Sequence, residues 1–209
     1  MRPLTDSLPK PLLKVRGKAL IEWIIENLVR AGIQELVINH SYLGAAIEQA
    51  LGSGGRYGAR IAYSHEPEAL ETAGGIANAL DLIGGEPFLA VNGDIYTSYD
   101  YSALAAKRDQ MMQGGQQAHL VLVDNPAHNP LGDFSLHDGL LGNDGPAKLT
   151  FSGIALYEPS LFAGIDKGRK ARLAPLLRAA AAAGRAGGEH FRGSWHDVGT
   201  PERLRALQN

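Results

Sequence analysis

Apolar positions along this chain alternate between two periods. Apolar residues recur at helical spacing from Leu20 to Val29, and a short apolar run follows at Leu36-Val-Ile38. The first spacing is typical of an amphipathic helix, and short apolar runs bounded by turn residues are typical of buried strands. Because this change of period repeats along the chain, the pattern predicts an α/β protein whose helices flank a mainly parallel sheet.

The first 125 residues contain most of the predicted elements. Gly32 is expected to end the first helix, Ser41 to cap the second, and Asp100 to cap a helix that reaches about Met112. A further helix is predicted at 72–83, despite its glycines. The predicted strands are 36–38, 60–63, 88–91 and 119–123.

The pattern changes after Asn125. Asp138-Gly139 predicts a β-hairpin turn, residues 149–157 predict a longer strand, and residues 172–183 predict an alanine-rich helix with Pro175 in its first turn. A second hairpin is predicted around Arg192-Gly193, and Thr200-Pro201 is typical of a helix start. Because no linker or repeat divides the chain, we predict one domain, 1–209, in which 125–198 cover one end of the sheet.

The amino-acid composition mainly excludes certain classes of function. Lys plus Arg number 20 against 22 Asp plus Glu, so no global field attracts nucleic acid or an anionic membrane. The chain has no cysteine, which excludes disulfides, thiol catalysis and cysteine-bound zinc. No apolar run is long enough to cross a bilayer, and no signal sequence opens the chain. We therefore expect a cytoplasmic protein; its oligomeric state, monomer or dimer, stays open.

Two aspartates are the candidate metal ligands. Asp94 directly follows the predicted strand 88–91, and Asp197 closes a second strand-like stretch. Ligands of open parallel sheets bind beyond the carboxyl ends of the strands, and Mg²⁺ takes one or two carboxylates together with phosphate oxygens and water. The alternative is that Asp94 only begins a turn in Asn92-Gly93-Asp94. The residues by themselves leave both interpretations open.

Three other features have both a functional and a structural interpretation. Lys10 lies between two prolines, which restrict the backbone and allow its ammonium to face a phosphate, although an exposed loop lysine is the alternative. The glycines of Leu70-Glu-Thr-Ala-Gly-Gly75 let a flat base approach the backbone, or form a flexible connection. Trp195 either stacks on a ligand or is a buried aromatic residue.

Six motifs occur in a fixed order over the whole chain: Met1-Arg-Pro-Leu-Thr5, Pro9-Lys-Pro-Leu12, Val15-x-Gly-Lys-Ala-Leu20, Leu70-Glu-Thr-Ala-Gly-Gly75, Val91-Asn-Gly-Asp94 and Trp195-His-Asp-Val-Gly-Thr200. Together they resemble the sugar-1-phosphate nucleotidyltransferases. This resemblance implies a Rossmann-like mixed, mainly parallel sheet flanked by helices (the nucleotide-diphospho-sugar transferase fold), without a C-terminal β-helix. It also implies a nucleoside triphosphate and a sugar 1-phosphate as substrates, and Mg²⁺ as cofactor.

A second group of motifs resembles one branch of that family, which couples UTP with N-acetylmuramate 1-phosphate in cell-wall recycling. The alternatives are a mannose- or heptose-1-phosphate guanylyltransferase and a non-catalytic paralogue that binds nucleotide sugars. The motifs of this closer resemblance are Val37-Ile-Asn-His40, Leu70-Glu-Thr72, Leu120-Val-Leu-Val-Asp-Asn-Pro126, Gly132-Asp-Phe134, Leu149-Thr-Phe-Ser-Gly153 and the stretch from Gly188 to Asp197.

The resemblance implies roles for particular residues. Residues 1–124 would bind the nucleotide and 125–209 the sugar, with Lys10 as the catalytic residue and Asp94 and Asp197 as metal ligands. The implied nucleotide-binding residues are Lys10, Glu66, Thr72, Gly74 and Asp94. The implied sugar-phosphate-binding residues are Asn39, Gly132, Asp133, Ser152 and Trp195.

The resemblance further implies a strand and a glycine-rich Ala-Ala-Gly-x-Gly-x-Arg loop directly before the first motif, whereas the sequence given starts at Met1. That loop would present backbone N–H groups and an arginine to the triphosphate, and the strand would lie centrally in the sheet. We therefore expect a gap in the sheet of these 209 residues, together with weak catalysis and low stability unless another segment fills the gap.

Overall fold

A computed structural model describes residues 1 and 4–208 of the chain. Arg2 and Pro3 of the first motif lie outside the described residues, as does Asn209. The α-helices are α1 (Leu20–Arg30), α2 (Gly44–Leu51), α3 (Glu71–Ile83), α4 (Leu104–Gln113), α5 (Leu173–Ala182) and α6 (Pro201–Ala206).

The strands come in the order expected of an α/β protein, with additional short strands between the helices. They are β1 (Lys14–Val15), β2 (Lys18–Ala19), β3 (Glu35–His40), β4 (Arg60–His65), β5 (Phe88–Val91), β6 (Ile95–Thr97), β7 (Ala118–Val123), β8 (Phe134–His137), β9 (Leu140–Gly142), β10 (Lys148–Tyr157), β11 (Ala186–His190) and β12 (Trp195–Asp197).

The main sheet has the order β5-β10-β7-β11-β9-β8. The long strand β10 is antiparallel to both β5 and β7, whereas β11 is parallel to β7. Strand β7 is buried on both faces: Leu120 and Leu122 pack into one apolar core and Val121 into another. This explains why β7 is an uninterrupted apolar run rather than an alternating one. The mixed α/β class is confirmed, although parallel pairing in the described residues is limited to β3–β4 and β7–β11.

A gap separates the main sheet from the pair β3–β4. Among the described residues, β3 pairs only with β4, and β5 pairs only with β10. The two remaining strand edges line the same cavity, of about 1160 Å³, together with apolar residues of α1 such as Ile24 and Leu28. The gap in the sheet that the resemblance implies is therefore present, and it leaves two unpaired edges and apolar surface open to water.

Most predicted elements are confirmed within a few residues, including the Asp138-Gly139 hairpin and both termini of α1. The cap predicted at Ser41 is wrong. Ser41 only accepts a backbone hydrogen bond from Gly44, and Leu43, in a left-handed conformation, is the residue before α2. The hairpin predicted around Arg192-Gly193 is also wrong. Its two strands, β11 and β12, belong to different sheets, because β12 pairs with β6.

A buried polar cluster joins β11 to the segment that precedes α4. The Tyr99 hydroxyl donates a hydrogen bond to Glu189, and the His119 ring lies 3.7 Å from the same carboxylate. The neighbouring His119 imidazole lowers the pKa of Glu189 in spite of burial, and burial raises the pKa of Tyr99. The cluster fixes β11 just before the chain crosses to β12.

No helix in the described parts of the chain is long and apolar enough to cross a bilayer.

Candidate active site

The two candidate metal ligands lie on neighbouring strands. Asp94 immediately precedes β6, and Asp197 ends β12, which pairs with β6 in antiparallel register. The backbone N–H of Val198 donates to the carbonyl oxygen of Asp94 at 2.8 Å. Residues 103 positions apart in sequence are thereby held side by side beyond the carboxyl end of β5. The carboxylates are 33% and 27% exposed, respectively, so both face a partly enclosed site.

Lys10 reaches the same place. It begins a short 3₁₀ turn at residues 10–12, and the Pro11 ring packs against Gly93, where an added Cβ would lie 3.3 Å from the ring. This packing holds the turn against the Asn92-Gly93-Asp94 loop, and the Lys10 ammonium forms an ion pair with the Asp94 carboxylate. The structure therefore brings Lys10, Asp94 and Asp197 together, although it does not test their roles.

Asp197 has two basic partners that the sequence interpretation missed. The Arg203 guanidinium donates to its Oδ2 atom, and the Nε2 atom of His128 lies 3.3 Å from its Oδ1 atom. Arg203 belongs to α6, whose N-terminus is capped by Thr200 as predicted. The available signal was weak: Arg203 occurs six residues after Asp197, but nothing in the local pattern indicates that its side chain turns back toward the carboxylate.

The donor set at this site fits magnesium. Mg²⁺ prefers hard oxygen ligands and normally takes one or two carboxylates, completing its shell with water and phosphate oxygens. Asp94 and Asp197 supply two carboxylates, and the described residues contain no group of three or more His, Cys, Asp or Glu suited to a metal. The site therefore fits an ion shared with a phosphate substrate better than a closed structural metal site.

Two of the three predicted nucleobase residues, together with one residue predicted for the sugar phosphate, lie in the lining of the large cavity. Glu66, Thr72 and Asn39 all line it. The Glu66 side chain is buried, and its Oε2 atom accepts a hydrogen bond from the backbone N–H of Leu70 at 3.0 Å. This hydrogen bond orients the other carboxylate oxygen of Glu66 toward α3. Asn39, which was expected to face the sugar phosphate, lies beside Glu66 rather than beside the sugar-side residues.

The glycine that faces Glu66 and Asn39 is Gly75, which follows the predicted nucleobase residue Gly74 in α3. An added Cβ at Gly75 would lie 2.5 Å from Glu66 Oε1 and 3.0 Å from the Asn39 amide nitrogen. Gly74 is enclosed instead by the backbone of residues 169–171, and its N–H donates to the Ala171 carbonyl at 3.1 Å. Its N–H is therefore not available to a nucleobase. The difference between the two glycines follows from the helix geometry, because neighbouring helical residues point about 100° apart, and the role of Gly74 at the nucleobase stays a prediction.

Replacing Gly75 with alanine is expected to displace the Glu66 carboxylate and to weaken UTP binding ~tenfold, equivalent to one lost hydrogen bond. The free energy of unfolding should change by less than about 2 kcal/mol, because overpacking is partly offset by the higher helix propensity of alanine. Isothermal titration with UTP and urea unfolding measure the two effects. Gly85→Ala, where an added Cβ meets nothing within 4 Å, is the control. Unchanged UTP affinity in Gly75→Ala would contradict this placement of the base.

Gly132 and Asp133 end the loop that leads into β8, and they lie against the start of β10. The Asp133 carboxylate accepts hydrogen bonds from the backbone N–H of Phe151 at 2.8 Å and from the Asn129 amide at 3.2 Å. Thr150 and Asn125 extend this network through a hydrogen bond of 2.8 Å. The network makes Asp133 an anchor for the loop, and a direct contact with the sugar phosphate remains a prediction for Gly132 and Asp133.

The Ser152 side chain is buried within the sheet, with 1% exposure. Its hydroxyl donates to the Val121 carbonyl at 2.7 Å and accepts from the Ile154 N–H at 3.1 Å. These bonds stabilise a bulge in β10, where the register with β7 shifts between Phe151 and Ile154. The Ser152 hydroxyl is therefore engaged within the sheet, because the bulge turns this side chain inward, and a contact of residue 152 with the sugar phosphate stays a prediction.

Trp195 is fixed by the same bulge. Its indole N–H donates to the Ser152 carbonyl at 2.9 Å, and its ring packs against the apolar core that contains Val121. The indole N–H of Trp195 therefore has a structural role. Stacking of the partly exposed ring on a ligand stays a prediction. Trp195 begins the strand that ends at Asp197, so its anchoring also sets the position of that carboxylate.

Comparison with known proteins gives consistent results. Residues 1–135 match the family described as nucleotidyl transferase. The chain is 51% identical to the N-acetylmuramate alpha-1-phosphate uridylyltransferase of Neisseria meningitidis serogroup B, covering 100% of this chain and 91% of that protein. It is 33% identical to the protein of the same name in Caulobacter vibrioides, covering 100% and 90%. A solved structure of UDP-glucose pyrophosphorylase complexed with UDP-glucose superimposes with a TM-score of 0.77 at 20% identity, covering 100% and 92%, which shows a shared fold.

Proposed function

The chain belongs to the nucleotidyl transferase family, and from this premise we propose that it couples UTP with N-acetylmuramate 1-phosphate to give the UDP-sugar and pyrophosphate. The observation that carries the reaction type is the meeting of Lys10, Asp94 and Asp197 at one strand end. The choice of substrates rests on full-length relatives bearing that activity in their names.

The proposed reaction is a direct displacement at phosphorus. An oxygen of the sugar phosphate attacks the α-phosphorus of UTP, a new P–O bond forms, and the bond to the β-phosphate oxygen breaks to release pyrophosphate. A phosphate monoester has a second pKa of about 6, so the nucleophile is already largely a dianion near neutral pH. No general base is needed. In-line positioning and neutralisation of charge are the tasks left to the protein.

Lys10 is proposed to neutralise charge on the triphosphate. Its ammonium is held against Asp94 by a turn that packs on Gly93, so it needs only a rotation of its side chain to donate to a phosphate oxygen. Asp94 and Asp197 would hold Mg²⁺, which when bound supplies positive charge to the reacting phosphates. Releasing Lys10 from Asp94 would free that carboxylate for the metal at the same time.

Residues 1–124 are proposed to bind the nucleotide and 125–209 the sugar phosphate. The buried Glu66, with Asn39 and Gly75 beside it, supports a nucleobase site at the entrance to α3. The loop anchored by Asp133 and the ring of Trp195 support a sugar-phosphate site on the far side of Asp197. In this arrangement the two substrates meet at the aspartate pair.

A panel of nucleotides and sugar phosphates tests the proposal. Pyrophosphate release is expected to be fastest with UTP and N-acetylmuramate 1-phosphate, and slower with glucose 1-phosphate or mannose 1-phosphate. Titration calorimetry with each nucleotide, on the 209-residue chain, gives a binding preference that does not depend on turnover. Both measurements should rank UTP above GTP and ATP.

Two other outcomes identify the alternatives. Faster turnover with GTP and mannose 1-phosphate would favour the guanylyltransferases, which are more distant relatives of this chain. Tight binding of a nucleotide sugar without pyrophosphate release, in the 209-residue chain and in an N-terminally extended one, would favour a non-catalytic paralogue. The ion-paired Lys10, Asp94 and Asp197 favour catalysis, since a protein that only binds does not need all three.

A further inference from the structure

Asp197 differs from Asp94 in how its negative charge is balanced. Asp94 is paired with Lys10, on a short turn near the N-terminus, whereas Asp197 is paired with Arg203 on α6. Both oxygens of Asp197 are engaged, Oδ2 by Arg203 and Oδ1 by His128 at 3.3 Å. A divalent cation that binds Asp197 must therefore displace, or share the carboxylate with, a cation that is already there.

The position of Arg203 is fixed by its surroundings. The backbone N–H of Arg203 donates to the Thr200 hydroxyl at 3.3 Å, so the bond that caps α6 also fixes this residue. Its guanidinium lies flat against Gly199, where an added Cβ would come within 2.8 Å of the Cζ atom. An added Cβ at residue 199 would therefore displace the guanidinium from its present position beside Asp197. His128 contacts the other side of the guanidinium at 3.0 Å.

We propose that Arg203 is a built-in counter-cation, which orients the Asp197 carboxylate before the metal arrives and competes with the free divalent cation for that carboxylate. This inference rests on the proposed function, because it assumes that Asp197 is a metal ligand. It adds a positioning residue to the site and a consequence for the order of binding. The free cation binds weakly, because Arg203 already pairs with the Asp197 carboxylate. The metal therefore enters together with the nucleotide, whose phosphate oxygens supply additional ligands.

The competition is expected to be moderate in size. The Arg203 and Asp197 side chains are 32% and 27% exposed, so solvent screens part of their attraction. Removing the charge in Arg203→Gln is therefore expected to tighten binding of free Mn²⁺ about three- to tenfold. Arg203→Lys retains a positive charge and should stay close to the original affinity. Gly199→Ala leaves the arginine in the chain but displaces it, so it should shift Mn²⁺ affinity in the same direction as Arg203→Gln.

The test is Mn²⁺ binding to the nucleotide-free protein, followed by the electron paramagnetic resonance signal of free Mn²⁺. The control is Arg205→Gln, on the same helix, whose side chain is exposed and paired with Glu202. Melting curves establish whether each variant is folded. If Arg203→Gln does not fold, the Mn²⁺ affinity of Gly199→Ala is the measurement that tests the inference. Repeating the titration with UTP present should reduce the difference between the variants and the unaltered chain.

The possible outcomes are distinct. Tighter Mn²⁺ binding in Arg203→Gln and Gly199→Ala, with no change in Arg205→Gln, supports the inference. Equal or weaker Mn²⁺ binding in Arg203→Gln, with measurable binding to the unaltered chain, overturns it and leaves the proposed function standing. Absence of Mn²⁺ binding in every protein, with and without UTP, overturns both the inference and the proposed magnesium site.

Discussion

Replacing Asp94 or Asp197 with alanine is expected to lower the rate of pyrophosphate release ~100-fold or more, with little effect on folding. Each carboxylate is one of two that would hold the metal, and each also balances a cation that the substitution leaves unpaired. The catalytic effect is large because metal-derived charge stabilises the reacting phosphates. The effect on stability is small, at most about 1 kcal/mol, because the ion pairs are partly exposed.

The matched control is Asp81→Ala. Asp81 also forms an ion pair with a lysine, Lys167, but on the exposed surface of α3. Turnover with UTP and N-acetylmuramate 1-phosphate, measured at several Mg²⁺ concentrations, is expected to be unchanged in this control. If Asp94→Ala or Asp197→Ala retained a third or more of the original rate at saturating Mg²⁺, the assignment of that residue as a metal ligand would be wrong.

Adding a strand and an Ala-Ala-Gly-x-Gly-x-Arg loop before Met1 is expected to raise both stability and activity. The edges of β3 and β5 and the apolar face of α1 line one cavity of about 1160 Å³, which an extended apolar segment can enter and pair with on both sides. Burying several apolar side chains there should raise the melting temperature on the order of 10 °C. The loop adds preorganised donors for the triphosphate, and losing even one such donor commonly costs ~100-fold in rate.

Two altered extensions separate the contributions of strand and loop. Proline substitutions within the added strand remove ladder hydrogen bonds and should abolish the gain in melting temperature. Replacing the loop arginine with alanine should leave the melting temperature raised while lowering the rate. Equal melting temperature and equal activity of the extended and the 209-residue chains would refute the prediction and show that the cavity is not a site for a strand.

The residues near Asp94 show how much can be predicted from local pattern. The strand at 88–91, the position of Asp94 just beyond it and the restriction of Lys10 by two prolines are all local features, and the structure has each of them. The same holds for the Thr200 cap and the Asp138-Gly139 turn, which depend on the conformations of a few consecutive residues. Hydrophobic period and turn chemistry act over short distances, so they can be recognised without the fold.

The differences from the sequence predictions have a common origin in long-range contacts. Ser152 was assigned to the ligand side, but a bulge in β10 directs it into the sheet, and a shift of one residue in a strand reverses the face of its side chain. The sequence does not distinguish Gly74 from Gly75, because only the packing of α3 against residues 169–171 shows that Gly75 faces the cavity. A hairpin was assigned at Arg192-Gly193 because two strand-like stretches are close in sequence, although they pair with different partners.

The candidate residues of the site could therefore be predicted from the chain, whereas their immediate partners could not. Asp94 and Asp197 stand out by residue type and by their positions at strand ends, and Lys10 stands out by its place between two prolines. The pairing of β12 with β6 brings the aspartates together, and the return of α6 places Arg203 on Asp197. Such contacts depend on elements distant in sequence, and the interactions of a carboxylate depend on every charge within a few ångströms. That arrangement in space is set by tertiary packing, because local sequence restricts the backbone but not which distant side chains meet.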